Sequence, residues 1–188
     1  GMVVAQLKNR PGVSSYSTIG LYNSNLVAIN GDRNYAAKVD LGPLGSASSV
    51  SKPGQGESIT GRDVVQRTLG SIGTADVSSP TFHPAAVQSG RTLGPQDAGQ
   101  TNIVMTPNKF TDQLNIKVGD TVTFSFGGGQ EVTFHIVGIN PEPQPGFTGQ
   151  SILSALLFTA PADSFPRGVM PIIQMTIASV DSAHLNQV

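Results

Sequence analysis

The chain has 188 residues, a length that suits one domain or a pair of small subdomains able to bury a core. Charged residues are only 12% of it, and its polarity comes from 19 Ser and 15 Thr, with 22 Gly and 13 Pro for turns; soluble proteins usually carry about 25% charge. A net charge of −1, with eleven basic residues scattered from Lys8 to Arg167, leaves no footprint for nucleic acid, and zero Cys excludes disulfides, thiolate metal sites and a Cys nucleophile.

In chain order the pattern is mainly one of strands. Val13 to Asn30 is rich in β-branched and aromatic residues and alternates over Leu26, Val27, Ala28, Ile29 and Asn30. Asn30-Gly31-Asp32 is a hairpin signal that returns the chain through Tyr35 to Leu41. Gly42 to Gly56 is dominated by Ser, Gly and Pro and reads as a flexible connection between subdomains. Thr60 with Asp63 forms the acidic variant of a capping box, Val64, Val65, Thr68 and Leu69 share a face, and Gly70 closes a short helix over 61–69.

Asn102 to Thr106 reads as a buried strand, and Thr106-Pro107 offers a helix cap followed by Pro at the first helical position. Phe110 and Leu114 then share one face of that turn. The clearest pattern follows. Val122, Phe124 and Phe126 alternate with Thr121, Thr123 and Ser125, Gly127 to Gln130 turns the chain, and Val132, Phe134 and Ile136 repeat the alternation. This predicts a half-buried hairpin over 121–139 with those six apolar residues inside and the turn exposed. Ala155 to Thr159 and Ile172 to Ala178 are further strands, and Asp181 caps a final helix that starts before Val188.

No stretch reaches the ~18 apolar residues of a membrane span; the longest, Ile152 to Ala160, is broken by Ser154 and Thr159. No basic segment followed by an apolar one opens the chain as a signal peptide would, and Gly1-Met2 reads as the scar of a cleaved expression tag. Low charge with abundant Ser, Thr and Gly points to an extracytoplasmic setting.

Chemical signatures are sparse. Gly127-Gly128-Gly129 precedes a strand, whereas a phosphate cradle needs a helix N-terminus behind it. His83, His135 and His184 lack the spacing that brings two imidazoles to one ion, and His135 falls on the opposite strand face from the apolar row. Leu69-Gly70-Ser71-Ile72-Gly73 misses the spacing of a nucleophile elbow by one residue. Asp32, Asp40, Glu57 and Asp63 show no pattern beyond solvation. The expectation is therefore no catalytic residues, no cofactor and no metal.

A resemblance extends this reading. Ser89-Gly90-Arg91 through Asp97 to Gln100, the strand Asn102 to Thr106, a short helix, Leu114 through Gly119-Asp120 to Val122, and the hairpin ending in Val137-Gly138-Ile139 together resemble the central block of the MacB-like periplasmic core domain. That domain belongs to FtsX-like permeases of ABC transporters. Pro11-Gly12-Val13 resembles the family's start after a first transmembrane helix, and Gln174 to Ala178 before Asp181 resembles its last strand.

The resemblance implies an α+β, strand-rich fold of two subdomains. An α/β portion built from 1–56 plus 165–188 would lie near the membrane, and a mostly-β portion, 57–164, would be inserted into it. It further implies an ectodomain on the outer side of a bacterial or archaeal cytoplasmic membrane, within a permease dimer. ATP would be hydrolysed by a separate cytoplasmic subunit or domain, and the ectodomain would engage an extracytoplasmic adaptor or substrate protein. Two rivals are a secreted or cell-surface binding module and, less favoured by the residues, an extracytoplasmic serine hydrolase. The flanking sequence separates them: a permease has apolar spans of about 20 residues on both sides, a secreted module a cleavable signal and no later span.

Overall fold

A computed structural model describes residues 12–41, 65–66, 69–84, 86–142 and 158–180. Among these residues nine strands make one mixed sheet: β1 (Val13–Asn23), β2 (Asn25–Ile29), β3 (Ser71–Ala75), β4 (Ser89–Gly90), β5 (Asn102–Met105), β6 (Thr121–Ser125), β7 (Glu131–Ile139), β8 (Phe158–Pro161) and β9 (Ile173–Val180). Eight run in the order β2-β6-β7-β5-β8-β3-β1-β9, and β4 pairs with β7 off that path. The pairs β3–β8 and β5–β7 are parallel and the others antiparallel. Among the described residues the chain is strand-rich, and α1 (Lys109–Gln113) is a short helix.

The main core lies under the β6–β7 hairpin. Val122, Phe124, Phe126, Phe134 and Ile136 are buried there with Leu26, Tyr35, Ile103, Met105 and Phe110. Val132 is half-buried and Gly127 to Gln130 are exposed at the turn, so the expected faces hold at every position of the alternation. A smaller cluster of Val77, Leu93 and Val104 covers the opposite face, joined by Val87 and Val137. β5 thus sends Ile103 and Met105 to one cluster and Val104 to the other. That is why Ile-Val-Met reads as an unbroken apolar run: the strand is central and covered on both sides.

Val13 to Asn30 is two strands, not one. The chain breaks at Ser24, a buried residue whose hydroxyl donates to the Gly70 carbonyl oxygen. Asn30 and Gly31 both adopt positive φ, 49° and 78°, the requirement of a type I′ turn. The hairpin it should close is absent, because Tyr35–Lys38 is a 3₁₀ turn. Asp32 redirects the chain: its carboxylate accepts from the Asn34 N–H at 2.8 Å and from Lys38 Nζ at 2.6 Å, local bonds that compete with a strand ladder. Tyr35 is then tucked into the core, its hydroxyl donating to the Leu26 carbonyl oxygen, and β2 pairs with β6 instead.

The helix cap also differs from expectation. Thr106 is buried and its hydroxyl accepts from Asn140 Nδ2 at 2.9 Å, so Asn108 caps α1. Its side chain accepts from the N–H groups of Phe110 and Thr111, at 2.8 and 3.2 Å. Phe110 is buried and Leu114 packs against the same core. Of the helix expected over 61–69, Val65 and Gln66 are helical and the Leu69 N–H donates to the Val65 carbonyl at 3.1 Å. The remainder, the connection 42–56 and the helix after Asp181 lie outside the described residues. The strand expected over 155–159 is found as β8, from Phe158 to Pro161.

The portions 1–56 with 165–188 and 57–164 contribute strands to this same sheet. β1 of the first pairs with β3 of the second, and β2 with β6, so among the described residues no break in pairing marks their bound. Alternation reports which face of a strand is buried and carries no information about its neighbour.

Candidate functional site

The block from Gly90 to Ile139 is held by three pins. The first is Asp97, fully buried in a short 3₁₀ turn that begins at Pro95. Arg91 approaches it in a bidentate fork, Nη1 to Oδ2 at 2.8 Å and Nη2 to Oδ1 at 2.7 Å. The Gly94 N–H donates to Oδ2 at 2.9 Å and Asn102 Nδ2 to Oδ1 at 2.7 Å. Arg91, hydrogen-bonded to the carboxyl, holds it below the usual carboxylate range against the opposing push of burial, with Gly94 and Asn102 adding in Arg91's direction. Asp97 raises Arg91 in return. Four donors occupy both oxygens, which leaves this carboxylate anionic and committed, the opposite of what a proton-transfer group needs.

The second pin joins β4 to β7. Gly90 pairs with Gly138, and the Arg91 N–H donates to the Val137 carbonyl at 2.9 Å. A Cβ on Gly90, whose φ is +75°, would overlap the Val137 carbonyl oxygen, and one on Gly138 would overlap the Arg91 carbonyl oxygen. Val137 is the extra residue of a β-bulge, since Ile103 faces Ile136 while Val104 faces Gly138. The bulge lets Ile136 and Ile139 reach the main core while Val137 reaches the smaller one.

The third pin is Asp120. Its carboxylate accepts from the Lys117 N–H at 2.9 Å and from Asn30 Nδ2 at 3.0 Å, and Gly119 makes the turn at φ +95°. Asn30 completes the clasp by accepting from the Thr121 N–H at 2.8 Å. Gly-Arg, the acidic residue, Gly-Asp and Val-Gly, four motifs scattered through the sequence, are therefore one set of fold-setting contacts. Asp97's partners and the Asn30–Asp120 clasp were not legible as pairs, because nothing in the spacing says which donor meets which acceptor.

Clefts border this block, among them one of about 440 Å³ lined by Asn23, Ser24, Asn25, Ser125, Phe126 and Gly127, and two others. One of about 370 Å³ is lined by residues including Thr18, Tyr22, Thr74, Asp76, Asp163 and Gln174. The other, about 320 Å³, lies by α1 and β7 and is lined by residues including Met105, Ile116, Ile139, Asp112 and Glu142. None of the three has a histidine among its described lining residues. His83 and His135 are exposed, and His184 lies outside the described residues. Among the described residues no group of three His, Cys, Asp or Glu could hold a metal ion, and no helix is long and apolar enough to cross a membrane.

The two ends of the described fold meet. β1 and β9 are antiparallel neighbours with Val13 opposite Val180, so the first described strand begins beside the point where the last one ends. Compared with known proteins, the chain matches no family description and no curated protein.

Proposed function

We propose that this chain is the extracytoplasmic domain of an ABC transporter permease of the MacB-like, FtsX-like kind. It carries no catalysis of its own and transmits movement between transmembrane helices and a partner or substrate protein outside the cytoplasm. ATP hydrolysis belongs to a separate cytoplasmic subunit or domain, and the permease works as a dimer. In this reading 1–56 with 165–188 is the part nearest the membrane, and 57–164 the part inserted into it.

The observation that carries the reading is the pairing of Val13 with Val180. A domain suspended between two membrane helices must begin and end side by side, and here the first and last described strands do so at one end of the sheet. The three pins support the same conclusion from the other direction. Arg91, Asp97, Asp120, Gly90 and Gly138, which carry much of the family resemblance, are engaged in fixing turns and strand pairing, which suits a rigid body. A rigid body is what transmits displacement without dissipating it in local rearrangement.

The test is fractionation of cells producing the full reading frame. The polypeptide should stay in the cytoplasmic membrane through alkaline carbonate extraction and co-purify in detergent with an ATPase subunit or domain. Recovery from the medium, or in the carbonate-soluble fraction, would instead identify a secreted module.

A further inference from the structure

The chain contains one Asn-Gly pair, Asn30-Gly31, and the fold leaves both residues exposed. In such a pair the backbone nitrogen of the glycine can attack the side-chain amide carbon of the asparagine. A five-membered succinimide closes and ammonia leaves; water then opens the ring to aspartate or to isoaspartate. Glycine permits the attack because, without a Cβ, its nitrogen is open to approach and its backbone turns freely. Among the described residues nothing stands within 4 Å of where a Gly31 Cβ would be, so crowding is not what restrains the ring.

Hydrogen bonding restrains it instead. The Asn30 amide is held at both ends: Nδ2 donates to Asp120 Oδ1 at 3.0 Å, and Oδ1 accepts from the Thr121 N–H at 2.8 Å. Asp120 is itself fixed by the Lys117 N–H at 2.9 Å. The Asn30 N–H donates to the Thr121 carbonyl at 2.8 Å, and Ile29 and Asp32 exchange bonds of 3.1 and 2.8 Å across the turn. Swinging the amide carbon over the Gly31 nitrogen requires both side-chain bonds to break.

The product cannot restore them. A carboxylate in place of the amide lacks the Nδ2 donor and sets a negative charge at hydrogen-bond distance from the Asp120 carboxylate, which repels where the amide attracted. The isoaspartyl form also adds one carbon to the main chain inside a two-residue turn. β2, the strand this clasp secures, has five residues and stands at the end of the sheet order, with β6 its neighbour there.

We propose that Asn30 is a site of spontaneous deamidation, gated by the Asp120 clasp, whose product carboxylate releases the end of β2 from β6. The conversion adds one negative charge and runs one way, because the ammonia is lost to solvent. Nothing in this chemistry depends on the membrane assignment.

The 188-residue chain is incubated in mildly alkaline buffer, folded or in urea above its unfolding transition, and the peptide carrying residue 30 is followed by mass spectrometry. Deamidation should be about tenfold or more slower in the folded chain, and Asp120→Ala should speed it severalfold without unfolding the protein. In the unsubstituted chain, urea below the transition should leave the rate nearly unchanged, the mark of local opening; this reading stands even where Asp120→Ala does not fold. Asn30→Asp should speed amide exchange across β2–β6 and leave β1–β3 as it was. Asn30→Asp/Asp120→Asn, which returns a donor to the clasp, should recover protection. Absence of deamidation at residue 30 in the unfolded chain would overturn the site. Equal folded and unfolded rates, an unchanged rate in folded Asp120→Ala, or a rate that climbs in step with the unfolded population would overturn the gate. Native exchange across β2–β6 in Asn30→Asp, or no recovery in the double variant, would overturn the release.

Discussion

The β6–β7 hairpin and the β1–β3 pair are both antiparallel two-strand units of one sheet, yet they are held by different forces. The hairpin buries Val122, Phe124, Phe134 and Ile136 almost completely, and Phe124 meets Phe134 edge-on at 6.1 Å. In β1 the buried positions are Ser17 and Gly20. There the Gly20 N–H donates to Thr74 Oγ1 at 3.2 Å, and that hydroxyl lies 3.3 Å from the Gly20 carbonyl. One unit is stabilised by apolar area removed from water, the other by ladder bonds and close backbone approach. The first should fail when volume is removed and the second when volume is added.

The largest expected effect lies in the hairpin. Phe134→Ala should cost about 3–5 kcal/mol, from lost transfer energy and the cavity left behind, read as a fall in the denaturant midpoint. An unchanged midpoint would mean that the core under β6–β7 does not govern stability. Next comes the Arg91–Asp97 pair. Arg91→Ala leaves a buried carboxylate without its main partner and should cost about 2–3 kcal/mol, below the usual figure for buried pairs because Arg91 is half exposed. Arg33 makes an equally good fork with Glu131, at 2.7 and 3.1 Å, on the exposed surface. Arg33→Ala should leave the midpoint within error, so equal losses at 33 and 91 would refute the role given to burial.

Gly20→Ala sharpens the contrast from the other side. Its Cβ would stand 2.8 Å from Thr74 Oγ1 and 2.9 Å from a Tyr22 ring carbon, and adding this single methyl should cost about 1–2 kcal/mol. A gain in stability would show that β1 and β3 approach less closely than described. The smallest effect is pH-dependent. The Asp97 carboxyl is held below its ordinary value in the fold, so the unfolded chain takes up the proton first. Its stabilisation is complete above the ordinary carboxylate range, about pH 4, and is lost as pH falls below it. Asp97→Asn should flatten that acid limb of the stability curve, and an unaltered limb would contradict the pairing.

This contrast also explains what could be read in advance. Alternation over 121–136 gave both faces and the exposed turn, because Phe and Val against Thr and Ser is a large difference in transfer energy repeated at a fixed period. Ile103 to Met105 was legible as buried for the same reason. In β1 the signal is weak, since Ser17 and Gly20 are inside and Leu21 and Tyr22 only half-buried. Strand partners were not legible. The Asn30-Gly31 turn forms as read, but Asp32 and Tyr35 divert the chain after it, and β2 finds β6 about a hundred residues away. Thr106 looked like a cap until Asn140, from β7's end, took its hydroxyl. The candidate site shows the same limit: Arg91 and Asp97 stood out as pattern, while their bidentate contact depends on a 3₁₀ turn that only the folded chain supplies.

The claim that this is a membrane-held ectodomain is tested most directly by its sidedness. Gln130 is exposed at the hairpin turn, and the 188 residues contain no cysteine, so Gln130→Cys introduces one addressable thiol into this part of the full-length polypeptide. Intact cells, or spheroplasts where an outer membrane intervenes, are treated with a membrane-impermeant maleimide, and the peptide carrying residue 130 is read by mass spectrometry. The account predicts labelling before lysis on a polypeptide that sediments with the cytoplasmic membrane. Labelling only after lysis, or labelled polypeptide free in the medium, would contradict it.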